Sequence, residues 1–263
     1  MPVLWKGPMG SGAKKLPPLF TYTGNYAYDE YTDPDGTVHW ELALLTSGTL
    51  TFSRVVPKVD MFLVGGGHKG KIGSATGDVD HIKAYGGDGG DGGDTLTVTG
   101  APVAKNTAYS VVVGDGESGN DPATASTFGG SYSSANGDAG ATGADGAYCE
   151  YYNSSNGHKA GSGDPGVYAF GDAACLLNPK RKYGAAGAGG GARFVSQQNA
   201  TYNKSAGTGG DTGGGDGGTP NAINGSAGAA NTGSGGGGGW SRNYDVYAGA
   251  PGGSGIAILR DAR

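Results

Sequence analysis

Several features are scarce in this 263-residue chain. Leu, Ile, Val and Phe together number 38, below the share that the core of an ordinary globular enzyme of this length uses. No stretch approaches 18 apolar residues, so no transmembrane helix is expected. The first 20 residues have Lys6, Lys14 and Lys15 but no apolar run of signal-peptide length, so no secretory leader is expected. Positive charge is also in deficit, with 18 Lys and Arg against 23 Asp and Glu. A net charge of -5 gives no electrostatic reason to bind nucleic acid or an anionic membrane. Only Cys149 and Cys175 are present, without CxxC spacing, so a zinc site is excluded and free thiols are expected.

The abundant residue is glycine, at 58 positions, accompanied by 15 Tyr, 6 Phe and 3 Trp. Those rings, with the small net charge, argue for a folded chain and against a flexible linker. Apolar residues and glycine avoid each other. Twelve of the 38 aliphatic and Phe residues lie in Val38 to Val64, six in Leu96 to Val113 and three in Ile256 to Leu259. Trp40, Leu42 and Leu44 alternate with Glu41 and Ala43, as do the residues of Thr49 to Phe52 and Thr95 to Val98, which predicts half-buried strands. Val59 to Val64, Tyr109 to Val113 and Ile256 to Leu259 are continuous runs, as in strands buried on both faces. Asp33-Pro34-Asp35-Gly36 supplies a tight turn. No segment sustains a 3.6-residue apolar period, so near-zero α-helix is expected.

Glycine fills two excursions, 65–94 and 114–253, which leave and re-enter this β core. Gly137, Gly140, Gly143 and Gly146 recur every three residues, and Gly86 to Asp94 is a strict Gly-Gly-Asp triplet. Three residues per turn is the polyproline II helix, which has no internal hydrogen bonds. Its buried N–H and C=O groups must find neighbouring helices, and only faces without side chains let backbones approach closely enough. One-in-three glycine therefore suits an outer helix, two-in-three an intermediate one, and Gly235 to Gly239 the interior. Four triplets without proline do not sustain a collagen triple helix. The predicted fold is all-β: a jelly-roll-like β-sandwich, with strands in 20–64, 95–113 and 254–263, bearing an inserted bundle of polyglycine II helices. Residues 20–263 form one glycine-rich domain, and the proline-containing residues 1–19 an extended docking arm.

The ordered blocks Phe20 to Tyr26, Leu45 to Phe52, Val59 to Gly67, Asn106 to Gly114 and Gly252 to Arg260 resemble the glycine-rich tail proteins encoded by phages and prophages of Gram-positive gut bacteria. The architecture implied is similar to that of the glycine-rich region of anaplastic lymphoma kinase and the distal adhesins of T-even-like Salmonella phages. The resemblance implies a virion tail protein made in the host cytoplasm. Its expected partners are a host cell-surface glycan or protein and, through residues 1–19, other tail or baseplate proteins, in a homo-oligomer with a trimer as the guess. A structural subunit of a virion or surface filament uses the same fold, and an ice-binding protein is a more distant alternative.

Individual motifs carry less. Gly65 to Lys71 matches the P-loop pattern GxxxxGK, but Ile72 replaces the magnesium-binding hydroxyl and no helix can follow. Gly161 to Gly166 matches GxGxxG without the flanking strand and helix. Asp88, Asp91 and Asp94 invite a calcium reading, yet on one polyproline II face they stand about 9 Å apart, too far for one ion. His39, His68, His81 and His158 show no ligand spacing, and no catalytic serine context is present. No enzyme activity, cofactor or metal is predicted. The candidate receptor contacts are the aromatic residues of the glycine-poor excursions: Tyr148, Tyr151, Tyr152, Tyr168, Phe170, Tyr183, Tyr202, Trp240, Tyr244 and Tyr247. Rings of this kind among Ser, Asn and Gly offer rigid amphipathic contact area, and the excursions are expected to emerge as loops at the ends of the bundle.

Overall fold

The computed structural model describes residues 17–77, 82–150, 157–171, 177, 180–195, 201–211 and 213–263. Most of the docking arm predicted at 1–19, together with His81 and Cys175, lies outside them. Ten strands build a two-sheet sandwich. One sheet has the order β1 (Phe20–Tyr22), β4 (Gly48–Phe52), β7 (Ala108–Val112), β8 (Thr127–Phe128) and β9 (Tyr132–Ser133). The other has the order β2 (Tyr26–Thr32), β3 (Val38–Leu44), β10 (Ile256–Asp261), β5 (Lys58–Val64) and β6 (Thr95–Pro102), and every pairing in both sheets is antiparallel. Among the described residues helix is confined to two three-residue 3₁₀ turns, Ser134–Asn136 and Ala169–Gly171.

The strand period decides which side chains meet. Trp40, Leu42 and Leu44 of β3 and Met61 and Leu63 of β5 point between the sheets, onto Leu50, Phe52, Val111 and Phe128. Residues of opposite parity, Ala43, Phe62, Val64, Ile256 and Ile258, face outward from the second sheet, yet they are buried too. Ala169 and Tyr183 cover them. That cover is why β5 and β10 read as continuous apolar runs. The β8–β9 hairpin was not expected: it comes from the second glycine-rich excursion, so that excursion does not lie wholly outside the sandwich. Phe128 fills the core and stacks on Tyr109 at 5.1 Å, completing a sheet edge that lacks enough local apolar sequence to predict it.

The glycine segments leave the sandwich along the strands. At its C-terminal end Val64 of β5 pairs with Thr95 and Ile256, and the same neighbours continue as hydrogen bonds from Gly65 to Asp94 and from Gly67 to Gly253. Beyond this point the bonds recur every third residue: Gly67, Gly70 and Gly73 donate to Gly253, Ala250 and Tyr247 at 2.9–3.0 Å. A three-residue repeat toward each neighbour is that of a polyglycine II helix, and a nine-residue run such as 65–73 extends about 28 Å. His68 and Lys71 sit in this run without breaking its period, donating their own N–H groups to Asp91 and Asp88.

Run 233–240 lies at the centre. Its N–H groups bond to three neighbours, seen in Gly235 to Ala185, Gly236 to His68 and Gly237 to Ser226, and its carbonyls accept from three others, seen in Gly90 to Gly236, Gly215 to Gly235 and Ala250 to Gly237. Along Gly235 to Gly239 these neighbours leave no direction for a side chain, and all five residues are buried. Run 86–94 has four neighbours, 65–73, 137–147, 184–191 and 233–240. It has glycine on two faces, while Asp91 and Asp94 on the third are exposed. Run 137–147 lies outermost and needs glycine at one position in three. In these three runs the glycine content rises with the number of neighbours, whereas run 184–191 keeps Ala185, Ala186 and Ala188 buried among its own neighbours.

Candidate functional site

The runs shuttle between the sandwich and a far end, where short strands join them. Two four-stranded sheets cap that end. One has the order Gly157–His158, Tyr148–Glu150, Lys83–Tyr85, Ser74–Thr76, and the other Thr201–Lys204, Ala192–Val195, Ser241–Arg242, Asp245–Val246. On the inner side Ile82, Ala84, Ala147, Cys149 and Ala192 make a small core. Cys149 is a free thiol, and burial pushes its pKa up to about 11. Its role is packing, because an apolar setting disfavours the reactive thiolate.

On the outer side of the first cap sheet, register aligns one row of side chains. Ser74 pairs with Tyr85, Tyr85 with Tyr148, and Tyr148 with His158. The Tyr85 and Tyr148 rings stack at 4.9 Å, and His158 is 6.2 Å from Tyr148. The phenol of Tyr148 donates to Glu150 Oε2 at 2.8 Å, while Lys83 Nζ lies 3.4 Å from Oε1. Partial burial, reinforced by Glu150, raises the Tyr148 pKa to about 12, so the phenol stays a donor at neutral pH. The row opens onto a cavity of about 430 Å³ that also touches Lys71, Asp88 and Asp145.

The other predicted contacts are scattered. Tyr244 is half exposed at the far end, its hydroxyl 3.4 Å from the Gly77 carbonyl. Trp240 is 95% buried and stacks on Tyr247 at 5.8 Å, leaving only an edge at the floor of a separate cavity of about 620 Å³. Tyr168, Phe170 and Tyr183 are not at the far end at all, because residues 157–171 run from the cap sheet to the sandwich. There Tyr183 is fully buried against Phe62, and Phe170, in a left-handed turn, sits under Arg260 at 3.9 Å. Tyr168 lies beneath Lys182. Tyr183 therefore serves packing, while Tyr168 and Phe170 are partly buried beside the sandwich. Tyr151, Tyr152 and the side chain of Tyr202 lie outside the described residues. Tyr85 was missed because it directly precedes the glycine triplet, and only pairing across 63 residues joins it to Tyr148.

The triplet aspartates have a structural task. Asp88, Asp91 and Asp94 accept N–H bonds from Gly146, Gly143 and Gly140 at 3.0, 2.6 and 3.3 Å, tying the outer run to the lattice. Among the described residues no three acidic, His or Cys side chains are grouped to hold a metal ion. Burial works to raise the Asp88 carboxyl, but the Gly146 N–H and the Lys71 ammonium at 2.9 Å outweigh it and hold its pKa below the usual value. A carboxylate whose folded pKa is depressed stabilises the fold above its unfolded pKa, about 3.9, and loses that contribution as pH falls through the folded value. Wild-type melting temperature is therefore expected to fall more steeply than that of Asp88→Asn below about pH 4. The difference should be under about 1 kcal/mol for so exposed a pair, and parallel acid melts would exclude it.

This architecture defines a glycine-rich all-β protein: a sandwich whose strands run on into a hexagonal lattice of polyglycine II helices, with a capped far end. The family model for the glycine-rich domain matches residues 45–261, and the chain belongs to that family. No curated protein and no solved structure matches it.

Proposed function

We propose that this protein is a phage tail-tip or tail-fibre adhesin that binds the host cell surface through the capped far end of the bundle. The observation that carries this reading is the aromatic row Tyr85–Tyr148 with His158, held on a cap sheet at the end opposite the sandwich. Every run beneath it is fixed to its neighbours by backbone bonds, so the rings are presented with little entropy left to lose on binding, the condition under which aromatic anchors contribute most. The sequence resemblance to phage tail proteins supports the same assignment. Residues 1–19 then dock onto other tail or baseplate proteins in a homo-oligomeric virion component.

A purely structural role is the second reading. Edge strand β2 favours it: among the described residues no strand pairs with its far side, and Tyr26 and Tyr31 on it are exposed, a strand suited to chain-to-chain pairing.

Fluorescently labelled full-length protein applied to a panel of candidate host cells, with and without removal of wall glycopolymer, separates the two. The adhesin reading expects saturable binding. Tyr85→Ala/Tyr148→Ala should weaken it at least tenfold with a small change in melting temperature, and a chain lacking residues 1–19 should still bind cells but fail to enter tails. Absence of binding to every host, with normal tail incorporation, would leave the structural role.

A further inference from the structure

The second cap sheet carries a row of another kind. Register sets Asn203 beside Arg193, Arg193 beside Arg242, and Arg242 beside Asp245. Ala192 and Ser241, which precede the two arginines, are buried, so strand alternation turns Arg193 and Arg242 away from the cap core. Asn203, Arg242 and Asp245 are exposed and Arg193 is half-buried. Neighbouring strands lie about 4.8 Å apart, which holds the two arginine stems side by side.

Packing does not require this pair. Like charges side by side across a sheet destabilise it, and among the described residues neither guanidinium forms an ion pair, even with Asp245. The first cap sheet, by contrast, matches Lys83 with Glu150. Arg193 Nε is also buried, and among the described residues it donates to no acceptor. A buried N–H left unpaired is costly, and one oxyanion between the two guanidiniums would satisfy it and cancel the repulsion together. Two planar forks on separate strands suit the edges of a tetrahedral phosphate, whereas a planar carboxylate is filled by one fork. Asn203 adds an amide donor at one end of the row. Asp245 at the other end, and a net charge of -5 over the whole chain, confine the attraction to this spot, so the row suits one anionic group and not a polyanion laid along the bundle.

We infer that the row Asn203–Arg193–Arg242 binds a single phosphate group, free or carried as a phosphoester on a sugar, with both guanidiniums donating to its oxygens and the Asn203 amide to another. The row lies at the same far end as the aromatic row, and for biological meaning the inference rests on the adhesin reading.

The test is isothermal titration calorimetry of the full chain at low ionic strength with inorganic phosphate, glucose 1-phosphate and glucose. Both phosphates should bind at least tenfold tighter than glucose, and added sodium chloride should weaken them. Arg193→Gln/Arg242→Gln should lower their affinity at least tenfold, while its ligand-free melting temperature stays level or rises because the like-charge pair is gone; a merely structural role would lower it. Arg242→Gln alone, at an exposed position, gives the same comparison should the double variant fail to fold. Lys182→Gln, whose ammonium pairs with Asp211 away from the cap sheets, should bind phosphate as wild type does. No binding of either phosphate, equal binding of glucose, or an equal loss in Lys182→Gln would overturn the inference. Labelled protein on host cells identifies the source of the group. Competition by glucose 1-phosphate and loss of cell binding in the double variant place the phosphate on the cell surface, whereas cell binding indifferent to both leaves a site for the free anion. If cells bind the protein but neither phosphate does, the adhesin reading stands and this inference falls. If phosphate binds but no host cell does, the site stands and the adhesin reading falls.

Discussion

Gly237→Val is expected to leave no folded bundle. A Cβ at this position would sit well under 3.0 Å from the Asp216 carbonyl, with Gly215 also in the way, and both obstacles are backbone. Overpacking of a side-chain core costs typically about 1–3 kcal/mol because neighbours change rotamer. Here no rotamer exists to change. Relief would have to separate run 233–240 from run 213–218, breaking the bonds of Gly215 and Gly218 to Gly235 and Gly238. Each such backbone group, left buried and unpaired, costs roughly 1–3 kcal/mol, so the four groups of these two bonds cost about 4–12 kcal/mol, comparable to the whole stability of a domain. The expected readout is insoluble expression or a chain without cooperative melting. Thr142→Val, on the exposed face of the outer run 137–147, should melt as wild type does. A soluble Gly237→Val protein with near-native melting would refute the close-packed lattice.

The second large effect is expected from Tyr183→Ala. Tyr183 has no exposed surface and packs edge-on to Phe62 at 5.6 Å, with Val64, Ile256 and Ile258 in the same cluster. Truncating a fully buried aromatic ring costs about 3–5 kcal/mol. It also strips cover from the outer face of the β3–β10–β5 sheet. Tyr244→Ala, at a half-exposed ring on the far end, should change stability by no more than about 0.5 kcal/mol. Chemical denaturation of the two variants checks both, and equal destabilisation would mean that the second core is not the keystone described.

These contrasts show why composition alone misplaced some aromatic residues. Tyr183 and Tyr148 lie in one glycine-poor stretch with similar neighbours in sequence, yet one is core and the other lines a surface cavity. The difference arises because the chain crosses the full length of the bundle between them. Trp240 follows five consecutive glycines, and the same six-neighbour packing that demands those glycines draws the indole inward against Tyr247.

What the sequence determined by itself was everything written in a local period. Alternation in Trp40 to Leu44 marked strands, two of the continuous runs, Val59 to Val64 and Ile256 to Leu259, marked a sheet buried on both faces, and the three-residue glycine repeats marked polyglycine II helices; Tyr109 to Val113, read in the same way, is buried on one face only, with Val112 exposed. Those signals are local because side-chain size at one position is set by whether a neighbour occupies that direction. Tertiary structure alone decided which runs became neighbours, which end each excursion reached, and that Tyr85, Tyr148 and His158 share one row. It also recruited Thr127 to Ser133 into the sandwich and set the triplet aspartates to hold an outer helix. The physical reason is that polyglycine faces are nearly identical to one another. Backbone N–H and C=O groups carry no sequence label, so partner choice rests on chain connectivity and on the few side chains at the ends, which pair over separations that no local pattern encodes.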